Sequence, residues 1–76
     1  MKYILFIWRE GGYDVCRSEC YNDRLGTKIG EFDTTRELAD LLCKDDPEWF
    51  ADDLQTYITA TEMIFRLLVK EEAVVQ

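Results

Sequence analysis

The chain is 76 residues long, 47% hydrophobic and 33% charged, with a formal net charge of −7 at neutral pH. A chain of that length makes one small domain, and its single Pro and four Gly exclude a disordered or low-complexity polymer. The longest apolar run, Tyr3 to Trp8, is too short to span a bilayer, and with Lys2 before it and Arg9 after it, no secretory signal is expected.

The charge is concentrated. Residues 1–30 sum to +1 and residues 54–76 to −1, whereas 31–53 carry nine acidic against two basic side chains. The acidic set of interest is Asp33, Glu37, Asp40, Asp45, Asp46, Glu48, Asp52 and Asp53. A surface of this sign repels phosphate, so neither nucleic acid nor an anionic membrane is an expected direct partner. It attracts a basic protein surface instead.

Lys2 to Arg9, KYILFIWR, is rich in aromatic and β-branched residues and predicts a strand with both faces apolar. Gly11 and Gly12 suit a two-residue hairpin turn, after which Tyr13 to Cys20 returns as the second strand. Pairing Glu10 with Tyr13 then sets Arg9 opposite Asp14, Trp8 opposite Val15 and Ile7 opposite Cys16. In that register Tyr3, Leu5 and Ile7, beside Cys16, Ser18 and Cys20, form the core face. Ile4, Phe6 and Trp8, with Tyr13, Val15 and Arg17, form a second face that so short a chain is expected to leave partly uncovered, as a site for a homodimer or another partner.

Asn22 to Thr27 reads as a loop and Lys28 to Phe32 as a third strand. Asp33 or Thr34 caps a helix running to about Cys43, with Leu38, Leu41 and Leu42 on one side and Glu37 and Asp40 on the other. Asp46-Pro47 starts a second helix to about Leu54, with Trp49 or Phe50 turned inward together with Leu54. For the remainder, a strand at 56–59 followed by a helix burying Ile64, Leu67 and Leu68, one long helix over 47–72, and a late strand at 63–69 all fit; we read strand then helix. Residues 73–76 are expected to fray. The expected fold is thus α+β over residues 1–76: a small antiparallel sheet led by the N-terminal β-hairpin, with two or three short helices packed on one face.

Catalytic equipment is sparse. There is no His, Ser18 is the only serine, and no glycine-rich phosphate loop is present. Three cysteines cannot form a complete disulfide framework, which points to a reducing cytosol. On a strand, Cys16 and Cys20 would lie about 13 Å apart, too far for one zinc ion or one disulfide. All three thiols therefore read as small buried hydrophobes. The acids at 45–53 match no cation loop. No metal, no cofactor and no catalysis are expected.

The opening MKYILFIW and the junction GEFDTTRELADLL resemble small phage and mobile-element anti-defence proteins of the anti-CRISPR kind, at Met1 to Ile4 and at Phe32 to Thr34. That resemblance implies stoichiometric inhibition, in which a phage-encoded acidic protein covers the nucleic-acid-binding surface of a host defence complex. It assigns no functional residue. A self-associating accessory protein of a mobile element is the alternative, and a small ligand-binding or catalytic domain comes after it.

Overall fold

The computed structural model describes residues 2–75. The elements in chain order are β1 (Tyr3–Trp8), β2 (Tyr13–Arg17), a single 3-10 turn (Ser18–Cys20), β3 (Gly26–Phe32), α1 (Thr35–Asp45) and α2 (Asp53–Val75). The strands form one antiparallel sheet in the order β2-β1-β3. This is an α+β fold led by an N-terminal hairpin, with two helices on one face.

The hairpin forms where the sequence places it, but in another register. Tyr3 pairs with Arg17, Leu5 with Val15 and Ile7 with Tyr13. The reason lies in the turn. The Gly11 amide donates to the Trp8 carbonyl at 2.9 Å, the Trp8 amide donates to the Gly12 carbonyl at 3.0 Å, and Gly11 has φ +101°. The loop is therefore the three residues Arg9 to Gly11, a turn followed by a glycine at positive φ, rather than a two-residue turn on Gly11 and Gly12. That displaces the pairing by three residues. Because side chains alternate, an odd displacement also exchanges the faces of β2.

The core face accordingly carries Leu5 and Val15, flanked by Tyr3 and Tyr13, against Phe32 and the helices. Phe32, Leu38 and Leu42 are fully buried there, and Tyr3 stacks on Phe32 with centroids 5.5 Å apart. In β3 the pairing skips Ile29, which becomes the extra residue of a bulge and packs on the core.

The opposite face is not left open. Ile4 and Phe6 are only 2% and 1% exposed. β2 ends at Arg17 rather than at Cys20, and the chain turns back beneath the sheet, with the Ser18 amide bound to the Lys2 carbonyl at 3.1 Å. The Tyr21 ring lies 5.8 Å from Phe6, and its hydroxyl donates to the Gly26 carbonyl at 2.9 Å. Trp8 meets Phe6 edge-on at 4.8 Å and donates its indole N–H to Asp14 at 3.0 Å. A loop thus covers the face expected to be free, and Tyr13, Val15 and Arg17 lie on the other side of the sheet.

α1 begins as its sequence predicts. Thr34 is the N-cap, accepting from the Glu37 amide, while Glu37 reaches back to the Thr34 amide. The helix expected after Pro47 is only a turn: the Phe50 amide bonds the Asp46 carbonyl at 2.9 Å, and the chain then breaks off. Phe50 turns inward onto Tyr13, whereas Trp49 is 80% exposed. Asp52 starts the next helix by accepting from the Gln55 amide at 2.9 Å. From Asp53 to Val75 the chain is one helix, so the strand at 56–59 is not found. Gln76 lies outside the described residues. Thr56 and Thr61 sit within this helix by donating their hydroxyls to the carbonyls of Asp52 and Tyr57. Thr56, Ala60 and Met63 form the buried side of α2, flanked by Ile64 and Leu67, while Leu54 and Leu68 face outward.

Two side-chain links tie the helices to the hairpin. The Tyr13 hydroxyl donates to Asp45 at the end of α1 over 2.5 Å. Arg17 forms a bidentate pair with Glu71 near the end of α2, one arm measuring 3.0 Å.

Three outcomes test this packing. Leu42→Ala removes a fully buried side chain and should cost about 2–5 kcal/mol in chemical denaturation. At Gly26 an added Cβ would stand 1.9 Å from the Ile7 carbonyl oxygen, with only backbone around it. Gly26→Ala should therefore cost about 1–3 kcal/mol or more, read as a drop of several degrees in Tm. Burial first, and then the bond to Asp45, push the Tyr13 phenol up from 10.0 to about 12. A pKa raised by folding means stability that is complete below pH 10 and lost as pH rises toward 12. The stability gap between the wild type and Tyr13→Phe should shrink across that window, measured by urea midpoints.

Candidate interaction surface

The eight sequence-selected acids divide by what their carboxylates already do. Glu37 accepts from the amides of Asp33 and Thr34, both at 3.1 Å. Those bonds, the Asp33 amide foremost and the Thr34 hydroxyl next, hold its carboxyl below the usual range. Asp46 accepts from the Trp49 amide at 3.2 Å, Asp52 from Gln55, and Asp45 from Tyr13. Asp40 stands 3.9 Å from Arg36. Among the described residues, Asp33, Glu48 and Asp53 have no side-chain bond of this kind. Half of the acidic segment is thus occupied in capping helices or tying elements together, and the eight do not form one uninterrupted track.

What the fold does bring together is narrower. An open hollow at the exposed edge of β3 is lined by Glu31, Glu37, Asp40, Leu41 and Lys44. Leu41 is half-buried, packing against Gly30 of β3. Glu37, Asp40 and Lys44 of α1 therefore stand around one apolar side chain, with Glu31 at the β3 border of the hollow. Glu31 pairs only loosely with Lys28, at 3.9 Å and with both side chains nearly half exposed. Glu31 is not among the eight acids selected from the sequence. Its backbone borders the hollow at the edge of β3, while its register opposite Ile4 turns the carboxylate to the far face, beside Lys28.

Such a hollow can accept an extended Lys or Arg, its aliphatic stem on Leu41 and its charge among the carboxylates. Among the described residues, no group of three or more His, Cys, Asp or Glu side chains is arranged to hold a metal ion. Burial, followed by the influence of Cys20 and Asp14, pushes the Cys16 thiol up to about 11, so it stays protonated at neutral pH. Cys16 and Cys43 are half-buried, as small apolar residues are, but Cys20 is exposed in the turn after β2. Cys43 donates weakly to the Phe50 carbonyl at 3.3 Å. The face expected to bind a partner through Ile4, Phe6 and Val15 is inaccessible, because all three are buried.

A second exposed surface was not foreseen. Leu54, Tyr57, Ile58, Phe65, Leu68 and Val69 all show large apolar area on the outer side of α2. The signal was present in the sequence: 54, 58, 61, 65 and 68 alternate steps of four and three, a helical seam. No helix among the described residues is long and apolar enough to cross a membrane. No family model matches the chain, and no curated protein or solved structure is detectably similar to it.

Proposed function

We propose that the protein is a non-catalytic binding protein that docks on a basic surface of another protein. The observation that carries this reading is the exposed hollow where Glu37 and Asp40, with Lys44 and the Glu31 edge of β3, line the half-buried Leu41. Lys- and Arg-rich surfaces are those that proteins use to hold nucleic-acid phosphates, so an occupant of this kind would be blocked from its nucleic acid. That agrees with what the sequence resemblance implies: a phage-encoded inhibitor acting in the host cytosol on the nucleic-acid-binding component of a CRISPR-type defence system. The exposed face of α2 supports the alternative of a self-associating accessory protein.

Glu31→Lys combined with Asp40→Lys tests the reading without touching a helix cap. The ion pairs lost are exposed, so circular dichroism and Tm should be nearly unchanged. The immobilised wild type should capture a basic, nucleic-acid-binding protein from bacterial lysate, and the double variant at least tenfold less by quantitative mass spectrometry. Association should slow as salt rises, because charges separated by more than about 8–10 Å are screened near physiological ionic strength. Equal capture by the double variant would remove the hollow as the site.

A further inference from the structure

The outer side of α2 is the largest feature that the proposed binding site leaves unexplained. Thr56, Ala60 and Met63 hold this helix to the core. On the opposite side Leu54 is 71% exposed, Phe65 65%, and Tyr57, Ile58, Leu68 and Val69 between 38% and 47%. Together these leave roughly 600 Å² of apolar side chain in water, taking about 200 Å² for a complete large side chain. That is the upper end of what a soluble monomer exposes in one patch. The stripe runs from residue 54 to 69, about 24 Å along the axis.

From this we infer that α2 pairs with α2 of a second copy of the chain, antiparallel, about a two-fold axis near residue 63. Three features favour a second copy. The first is shape. At that axis position Ile58 lies against the second copy's Leu68, Tyr57 against its Val69 and the bulky Phe65 against its small Thr61, so the central layers are complementary, while Leu54 at the end of the stripe meets its Glu72. The second is charge. Glu62 and Arg66 lie one turn apart beside the stripe, Arg66 also bordering a hollow with Trp8 and Asp14 of the hairpin, and both are exposed, with neither in an ion pair among the described residues. The two-fold brings each Arg66 within reach of the second copy's Glu62, giving a closed group of two positive and two negative charges. The third is area. The apolar stripe together with the stems of Glu62 and Arg66 approaches the ~800 Å² per partner typical of a stable interface. The residues lining the hollow at β3 take no part, so pairing would leave both acidic hollows free.

Sedimentation equilibrium of the full chain from 1 to 500 µM tests this. The expected result is a reversible dimer of about 18 kDa, twice the 9.0 kDa chain. Phe65→Asp and Ile58→Asp should each be monomeric throughout that range, with far-UV circular dichroism retained and a Tm that, unlike the wild type's, does not rise with protein concentration. Glu62→Arg or Arg66→Glu alone, which surrounds the axis with four like charges, should weaken dimerisation at least tenfold. The double swap, Glu62→Arg with Arg66→Glu, should restore it to within about threefold. A wild type still monomeric at 500 µM would overturn the inference and leave the stripe to a different protein. A dimer indifferent to Phe65→Asp would overturn it too, and a double swap that failed to restore association would exclude the antiparallel arrangement.

Discussion

Covering both faces of β1 with only 76 residues is the constraint that organises this fold. Leu5 points to the helices and Ile4 and Phe6 point away from them, yet all three are almost completely buried. A central strand between β2 and β3 satisfies its backbone on both edges, but its two faces need two separate covers. The helices supply one. The other is the short return from Ser18 to Leu25, with Tyr21 on Phe6. Using a loop for that layer leaves both helices for a single face, and it explains why β2 stops at Arg17, well before the strand-like sequence runs out.

The same economy shapes the helical layer. α1 is stapled to the sheet through Leu38, Leu42 and Phe32, and its end is tied to β2 by the Tyr13–Asp45 bond. α2 is the longer helix but has the narrower buried side, because α1 already occupies much of the sheet. Its last turns reach β2 chiefly through the Arg17–Glu71 pair, in which the Glu71 carboxyl is held below the usual range by the guanidinium. A 23-residue helix of about 34 Å, close to the 38 Å long dimension of the molecule, cannot bury more than one side against so small a body. Its apolar outer side follows from that geometry.

Much of this was legible in the sequence. The hairpin, a helix capped at Asp33 or Thr34, and the burial of Leu38 and Leu42 all follow from local chemistry that tertiary packing did not override, whereas the choice of Thr34 as the cap and of Glu37 as its partner emerges only in the fold. The register was not legible, because adjacent glycines suit both a two-residue and a three-residue loop, and the choice between them depends on Trp8 reaching Asp14 and on how Val15 packs. The helical state of Thr56-Tyr57-Ile58-Thr59 was hidden by β-type composition; in the fold, Thr56 and Ala60 are buried against the core, and that packing decides the conformation. The acidic residues were read correctly as exposed for the most part. Which of them are free could not be read, since capping and the Tyr13 bond depend on where each helix begins and ends.

The two edges of the sheet have a consequence for how this protein can associate at all. An edge strand with unpaired backbone groups invites another strand to add on, and small β-containing proteins are exposed to runaway assembly by that route. Here β2 is only five residues long and carries Asp14 and Arg17, while β3 carries Lys28 and Glu31 and is bent by its bulge at Ile29. Strand addition is disfavoured on both sides. The backbone edges, which would propagate into a fibre, are thereby closed to association, and only side-chain surfaces are left for it, of which a two-fold contact closes after one partner.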